Sequence, residues 1–161
     1  MGNRGIWILI IIAIIIGSIF WTVGGSRIEE EMPYYLKMVI KETATVTIGK
    51  STFKAEIADT PQALAKGLSG RKSLPADRAM LFVFSQSAKY PFNMINMNFP
   101  LDIIWIQDGK IAFISSKVAP GVASIIPEAA ANYVLEVNSG YADTNHWQVG
   151  QEVTINFDKD K

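Results

Sequence analysis

The chain contains no cysteine, which excludes disulfides, thiolate nucleophiles and zinc–sulfur sites outright. It has a single histidine, His146, too few for the multi-histidine sets that most catalytic zinc needs. Charge is scarce as well: charged residues are 19% of the chain, below the usual quarter, and 15 basic residues balance 15 acidic ones. A nucleic-acid partner would need a basic face or stripe, and nothing here points to one. The Gly-x-Ser-x-Gly signature of a nucleophilic serine is also missing. No metal and no cofactor is expected from this inventory.

What the chain has in excess is apolar surface, 49% of its 161 residues, and much of it lies at the front. From Gly5 to Ser26 there is no charged residue, and Ile6 to Phe20 is almost entirely Ile, Leu, Ala and aromatic. About 18 residues at ~1.5 Å rise reach ~27 Å, close to the hydrocarbon thickness of a bilayer. Trp7 and Trp21 stand near the two ends, as interfacial aromatics do. Residues 1–26 therefore read as a signal anchor, a transmembrane helix whose partner is the lipid bilayer through residues 5–26. A cleaved signal peptide is the alternative, with Gly24, Gly25 and Ser26 as small residues for a cleavage site. Basic residues are nearly even on the two flanks. The short stretch before the span favours a cytoplasmic N-terminus and an extracytoplasmic domain at the cell membrane.

Residues 27–42, with Glu29, Glu30, Glu31 and Pro33, read as a connector. From 43 to 158 the patterns are those of strands. Thr43 to Ile48 alternates with period two, Gly49-Lys50 turns, and Phe53, Ala55 and Ile57 alternate again. Asp59-Thr60-Pro61-Gln62 predicts a helix start, Leu64 and Leu68 would face the core, and Gly70 is expected to end the helix. Gly67 in its last turn points to close backbone packing. Met80 to Phe84, Leu101 to Gln107, Ile111 to Val118, Tyr133 to Val137 and Glu152 to Phe157 complete the strands, with Gln107-Asp108-Gly109-Lys110 a hairpin turn. The fold class is mainly β: a compact antiparallel β-sandwich or barrel with one short α-helix, preceded by the anchor. Residues 159–161 are a tail.

Polar chemistry concentrates in Phe92-Asn93-Met94-Ile95-Asn96-Met97-Asn98-Phe99, which runs into Pro100-Leu101-Asp102. Asp102 opens a strand apolar on both faces, and a carboxylate there needs partners, because burying an unpaired charge costs several kcal/mol. Arg71 is the cation best placed to meet it. Arg71, Asn93, Asn96 and Asp102 thus form a candidate ligand-binding polar cluster. The competing reading makes Asp102 a structural acceptor of backbone N–H groups near the strand's mouth. Asn93, Asn96 and Asn98 read first as turn formers, and Met94 and Met97 as core fillers. His146 follows Asp143, but no serine is placed to complete a triad. Asp158 and Asp160 sit in the charged C-terminal end.

Several of these stretches together resemble a known family. They are Gly67-Leu68-Ser69-Gly70-Arg71, Met80-Leu81-Phe82-Val83-Phe84, Asn96, Pro100 to Ile106, Asp108-Gly109-Lys110-Ile111, Val134-Leu135-Glu136-Val137 with Gly140, and Val149-Gly150. In that order they resemble the domain of unknown function 192 (DUF192), small prokaryotic domains often secreted or membrane-anchored. The resemblance implies a compact β-rich fold and no established activity, substrate or cofactor. The family's central stretch usually reads Phe-Trp-Met-Lys-Asn-Thr; here Asn93, Ile95 and Met97 replace its Trp, Lys and Thr, so any site carried over is poorer by one cation. The function expected is a membrane-anchored binding or interaction module for an unknown envelope ligand or protein. The alternative is an envelope-polymer hydrolase or lyase using Asp102 as acid or base, a role that needs an open cleft over that carboxylate.

Overall fold

A computed structural model describes residues 43–158. The expected anchor at 1–26, the connector at 27–42 and the tail at 159–161 lie outside the described residues. Among the described residues no helix is long and apolar enough to cross a membrane.

Among the described residues seven strands make a single sheet: β1 (Thr43–Ile48), β2 (Ser51–Ala58), β3 (Arg78–Ala88), β4 (Leu101–Gln107), β5 (Lys110–Val118), β6 (Ala131–Asn138) and β7 (Val153–Phe157). Two short helices join them, α1 (Pro61–Lys66) and α2 (Tyr141–Thr144). The strand order is β5-β4-β6-β3-β2-β1-β7. Its two ends approach each other: Ile111 N–H donates to the Gln151 carbonyl at 2.9 Å and Val153 N–H to Gly109 at 2.8 Å. The sheet is thereby curled into a half-barrel, not split into a two-layer sandwich. It is not wholly antiparallel either, since β2 and β3 run parallel, Lys54 opposite Arg78 through Ala58 opposite Phe82. A parallel pair needs a crossover rather than a hairpin, and residues 59–77, with α1, supply it.

Curling leaves two apolar faces. The concave one holds Val46, Phe53, Leu81, Ile104, Ile106, Leu135 and Trp147; the convex one holds Leu68, Met80, Phe82, Met94, Ile103, Trp105 and Val134. Crossover and loop segments cover the convex face. Strand β4 is buried along its length except at Gln107, because successive side chains point into different cores. That is why its sequence reads as continuously apolar.

Local signals explain most element ends. Asp108 (φ 52) and Gly109 (φ 68) both lie in the left-handed region that a two-residue hairpin turn of this kind demands. Thr60 caps α1, its hydroxyl accepting from Ala63 N–H at 3.2 Å, with Pro61 at the first helical position. The helix stops at Lys66 and not at Gly70. Gly67 leaves the helical region (φ 49, ψ −135), and a side chain there would meet the Phe82 ring at 3.1 Å. Gly67→Ala should therefore destabilise the protein by about 1–3 kcal/mol in urea unfolding, from left-handed strain plus overpacking. A change under ~0.5 kcal/mol would show that Phe82 yields freely.

Candidate functional site

The expected ion pair between Arg71 and Asp102 does not form, and the cause is strand parity. Asp102 shares a face with Ile104 and Ile106, toward the concave core, whereas Arg71 lies on the convex side. Both Asp102 carboxylate oxygens are taken by backbone. Oδ1 accepts from Lys117 N–H at 2.7 Å, and Oδ2 accepts from Gly140 N–H at 3.0 Å and Ala142 N–H at 2.8 Å. Lys117 has a φ of 51 where β5 bulges against β4, and Gly140 precedes α2. Asp102 is fully buried, so it pins a bulge and a helix start from inside. It lines neither of the two clefts described for residues 43–158.

Arg71 instead forms a bidentate pair with Glu56, Nη1 to Oε1 and Nη2 to Oε2, both at 2.7 Å. Glu56 stands in a row across the sheet: it faces Met80 on β3, Met80 faces Glu136 on β6, and Glu136 faces Ile103 on β4. All four side chains share the convex face, with the two carboxyls separated by two strand spacings, roughly 10 Å. Glu136 is 4% exposed, and among the described residues its Oε2 has no hydrogen-bond partner. Burial pushes its carboxyl up to about 8, against the weaker opposing pull of the Arg71 guanidinium.

Glu136 reaches a cleft of about 380 Å³ between α1 with its following turn and the segment 90–97. Phe82, Phe84, Tyr90, Phe92 and Met97 supply apolar wall; Ser69, Asn93 and Asn96 supply polar lip; Lys66 and Ile95 are exposed at the rim. The wall is braced by ring contacts, Phe82 on Phe92 edge-to-face at 4.8 Å and Phe84 stacked on Tyr90 at 3.7 Å. Trp105 steadies it from beneath, donating Nε1–H to the Tyr90 carbonyl at 3.0 Å.

The asparagines divide between backbone work and the lip. Asn93 Oδ1 accepts from Ile95 N–H at 3.2 Å, closing a turn over the buried Met94. The Asn96 carbonyl accepts from Gly70 N–H at 3.0 Å, and Asn98 Nδ2 donates to the Arg71 carbonyl at 2.8 Å. These bonds tie the central stretch to the turn after α1. Of the four residues singled out from sequence, Asn93 and Asn96 line the cleft, Arg71 stands behind it on Glu56, and Asp102 is on the other face. Met94 and Met97 are buried in the convex core.

Elsewhere, Asp143 is paired to Lys117 Nζ at 2.6 Å, which holds its carboxyl below the usual carboxylate range. His146 is exposed, with a φ of 53. Among the described residues no group of acidic or histidine side chains could hold a metal.

Glu136 was missed by the sequence reading, although the argument applied to Asp102 fits it equally. It is a carboxylate inside an apolar strand, Val134-Leu135-Glu136-Val137, and parity would have put it opposite Met80 once the strands were paired.

Four stretches that carry the family resemblance converge on this cleft: the turn at Gly67 to Arg71, strand β3, the central segment and strand β6. The family model for DUF192, described as an uncharacterized ACR, matches residues 44–155, and the chain belongs to that family. Two solved structures are similar. One is a Novosphingobium aromaticivorans protein of unknown function, 28% identical with a TM-score of 0.66, the match covering 81% of this chain and 99% of that one. The other is a Sinorhizobium meliloti protein provisionally described as a transcription regulator, 27% identical with a TM-score of 0.65, covering 72% of this chain and 94% of that one. No curated protein matches the chain.

Proposed function

We propose that this protein is a binding module, held at the extracytoplasmic side of a membrane by residues 5–26, whose ligand enters the cleft above Glu136. The observation that carries the binding reading is the buried carboxyl oxygen without a partner at an aromatic-walled opening. Buried polar groups are normally satisfied, and one left open at a cleft is a place where a ligand group gains a bond the protein does not supply. The apolar run at the front of the chain supports the membrane attachment. An acid–base role for Asp102 has little room, since three backbone N–H groups already occupy its oxygens. The transcription-regulator description of the Sinorhizobium protein is not carried over, because 15 basic residues offset by 15 acidic ones give no electrostatic footprint for nucleic acid.

Two measurements test this reading. Full-length protein should remain with the membrane pellet after alkaline carbonate washing; recovery of a soluble form beginning near Gly25 or Ser26 would identify a cleaved signal instead. For binding, a thermal-shift screen of small fragments against the full chain should give hits whose shifts vanish in Ala65→Trp. That exposed position on α1 lines the cleft, and the larger side chain would fill it. Hits indifferent to Ala65→Trp, or no hits, would move the binding site elsewhere.

A further inference from the structure

Building on the binding reading, we infer that the ligand of this cleft carries a primary ammonium group on a short apolar or aromatic stem, with the ammonium meeting the unpartnered Glu136 oxygen and the stem lying along Phe82, Phe84 and Phe92. Glu136 is 4% exposed and its Oε2 is unpartnered. Among the described residues the guanidinium that acts on it, Arg71, is held by both nitrogens on Glu56 at 2.7 Å. The protein thus places an acid beside an opening and commits the neighbouring cation elsewhere. A ligand ammonium would supply the missing hydrogen bond and an opposite charge once the carboxyl gives up its proton, and charge-assisted bonds are roughly twice as strong as neutral ones.

The walls fit the same chemistry. Aromatic faces attract an ammonium that has left water, and they bury an apolar stem. A ligand carboxylate or phosphate would have to leave water beside a carboxyl and would find no free cation there, since Arg71 is held on Glu56. A neutral hydroxyl would satisfy the oxygen but leave the charge complementarity unused. Burial holds the Glu136 proton on up to about 8, and an arriving ammonium would displace that proton rather than share the site with it.

The probes are phenethylamine, 2-phenylethanol and phenylacetate, which share a stem and differ in the terminal group. They are titrated calorimetrically at pH 7 into the full chain in a nonionic detergent. The amine should bind at least tenfold more tightly than the alcohol, and phenylacetate should not bind. Glu136→Gln should erase the amine's tenfold preference while keeping the alcohol. Because a change at a buried position can disturb folding, Ile95→Lys provides a second arm. Ile95 is 58% exposed at the rim, and a lysine there should weaken the amine and leave the alcohol unchanged. Equal affinity of amine and alcohol, with both lost in Ala65→Trp, would overturn the ammonium inference and keep the binding reading. Absence of any heat that depends on Ala65→Trp would overturn both.

Discussion

Asp102→Ala should destabilise the protein by about 3–5 kcal/mol, the largest loss expected from any single substitution outside the apolar cores. The carboxylate accepts from Lys117, Gly140 and Ala142, and each buried N–H left without an acceptor costs ~1–3 kcal/mol. The total falls below the simple sum because Lys117 is exposed and Gly140 half-buried, so water can reach two of the three. Against a typical 5–15 kcal/mol of total stability the loss is large. Asp102→Asn should not rescue it fully, since an amide offers one oxygen and turns its NH2 toward a donor. Combining Asp102→Ala with Arg71→Ala should give additive losses within ~0.5 kcal/mol, because the two residues share no partner and lie on opposite faces. Coupling above ~1 kcal/mol in urea unfolding would contradict that separation.

The second large effect belongs to Glu136 and depends on pH. Its carboxyl is raised from 4.5 to about 8 in the folded protein. Between those values the folded state binds more protons than the unfolded one, so this group's contribution is fully present below about 4.5. It is lost progressively as pH rises to about 8, and is constant above that. At ~1.4 kcal/mol per pKa unit the swing is on the order of 5 kcal/mol. Glu136→Gln cannot ionise, so its stability relative to wild type should climb from pH 5 to about pH 8 and level off by pH 9. The difference between the two proteins isolates Glu136, since the exposed Lys117–Asp143 pair is common to both. A difference that stays flat across that range would mean that the carboxyl is hydrated in the folded state and ionises at its ordinary pH. Saturating phenethylamine should reduce the wild type's loss above pH 8, as a cation beside the carboxylate replaces the missing partner.

The sequence by itself determined the local structure. Period-two alternation marked β1 and β2, the Asp108-Gly109 pair marked the β4–β5 hairpin, and Thr60-Pro61 marked the start of α1, because each depends on backbone preferences within a few residues. It also marked Asp102 as a carboxylate that must have partners. The closing position of α1 was harder to read, since Gly67 ends the helix to make room for Phe82, a residue on a strand that follows the crossover.

Tertiary structure alone decided the rest. Whether the strands form two stacked sheets or one curled sheet depends on which edges meet, and no local pattern encodes that β5 approaches β7. The parallel pairing of β2 with β3 placed Glu56, Met80, Glu136 and Ile103 in one row. That row gave Arg71 to Glu56, left one Glu136 oxygen unpartnered among the described residues, and turned Asp102 to the far side of the sheet. A charged side chain in an apolar strand announces that it needs a partner. Which partner it receives is fixed by strand parity and register, properties that exist only once the strands have been laid side by side.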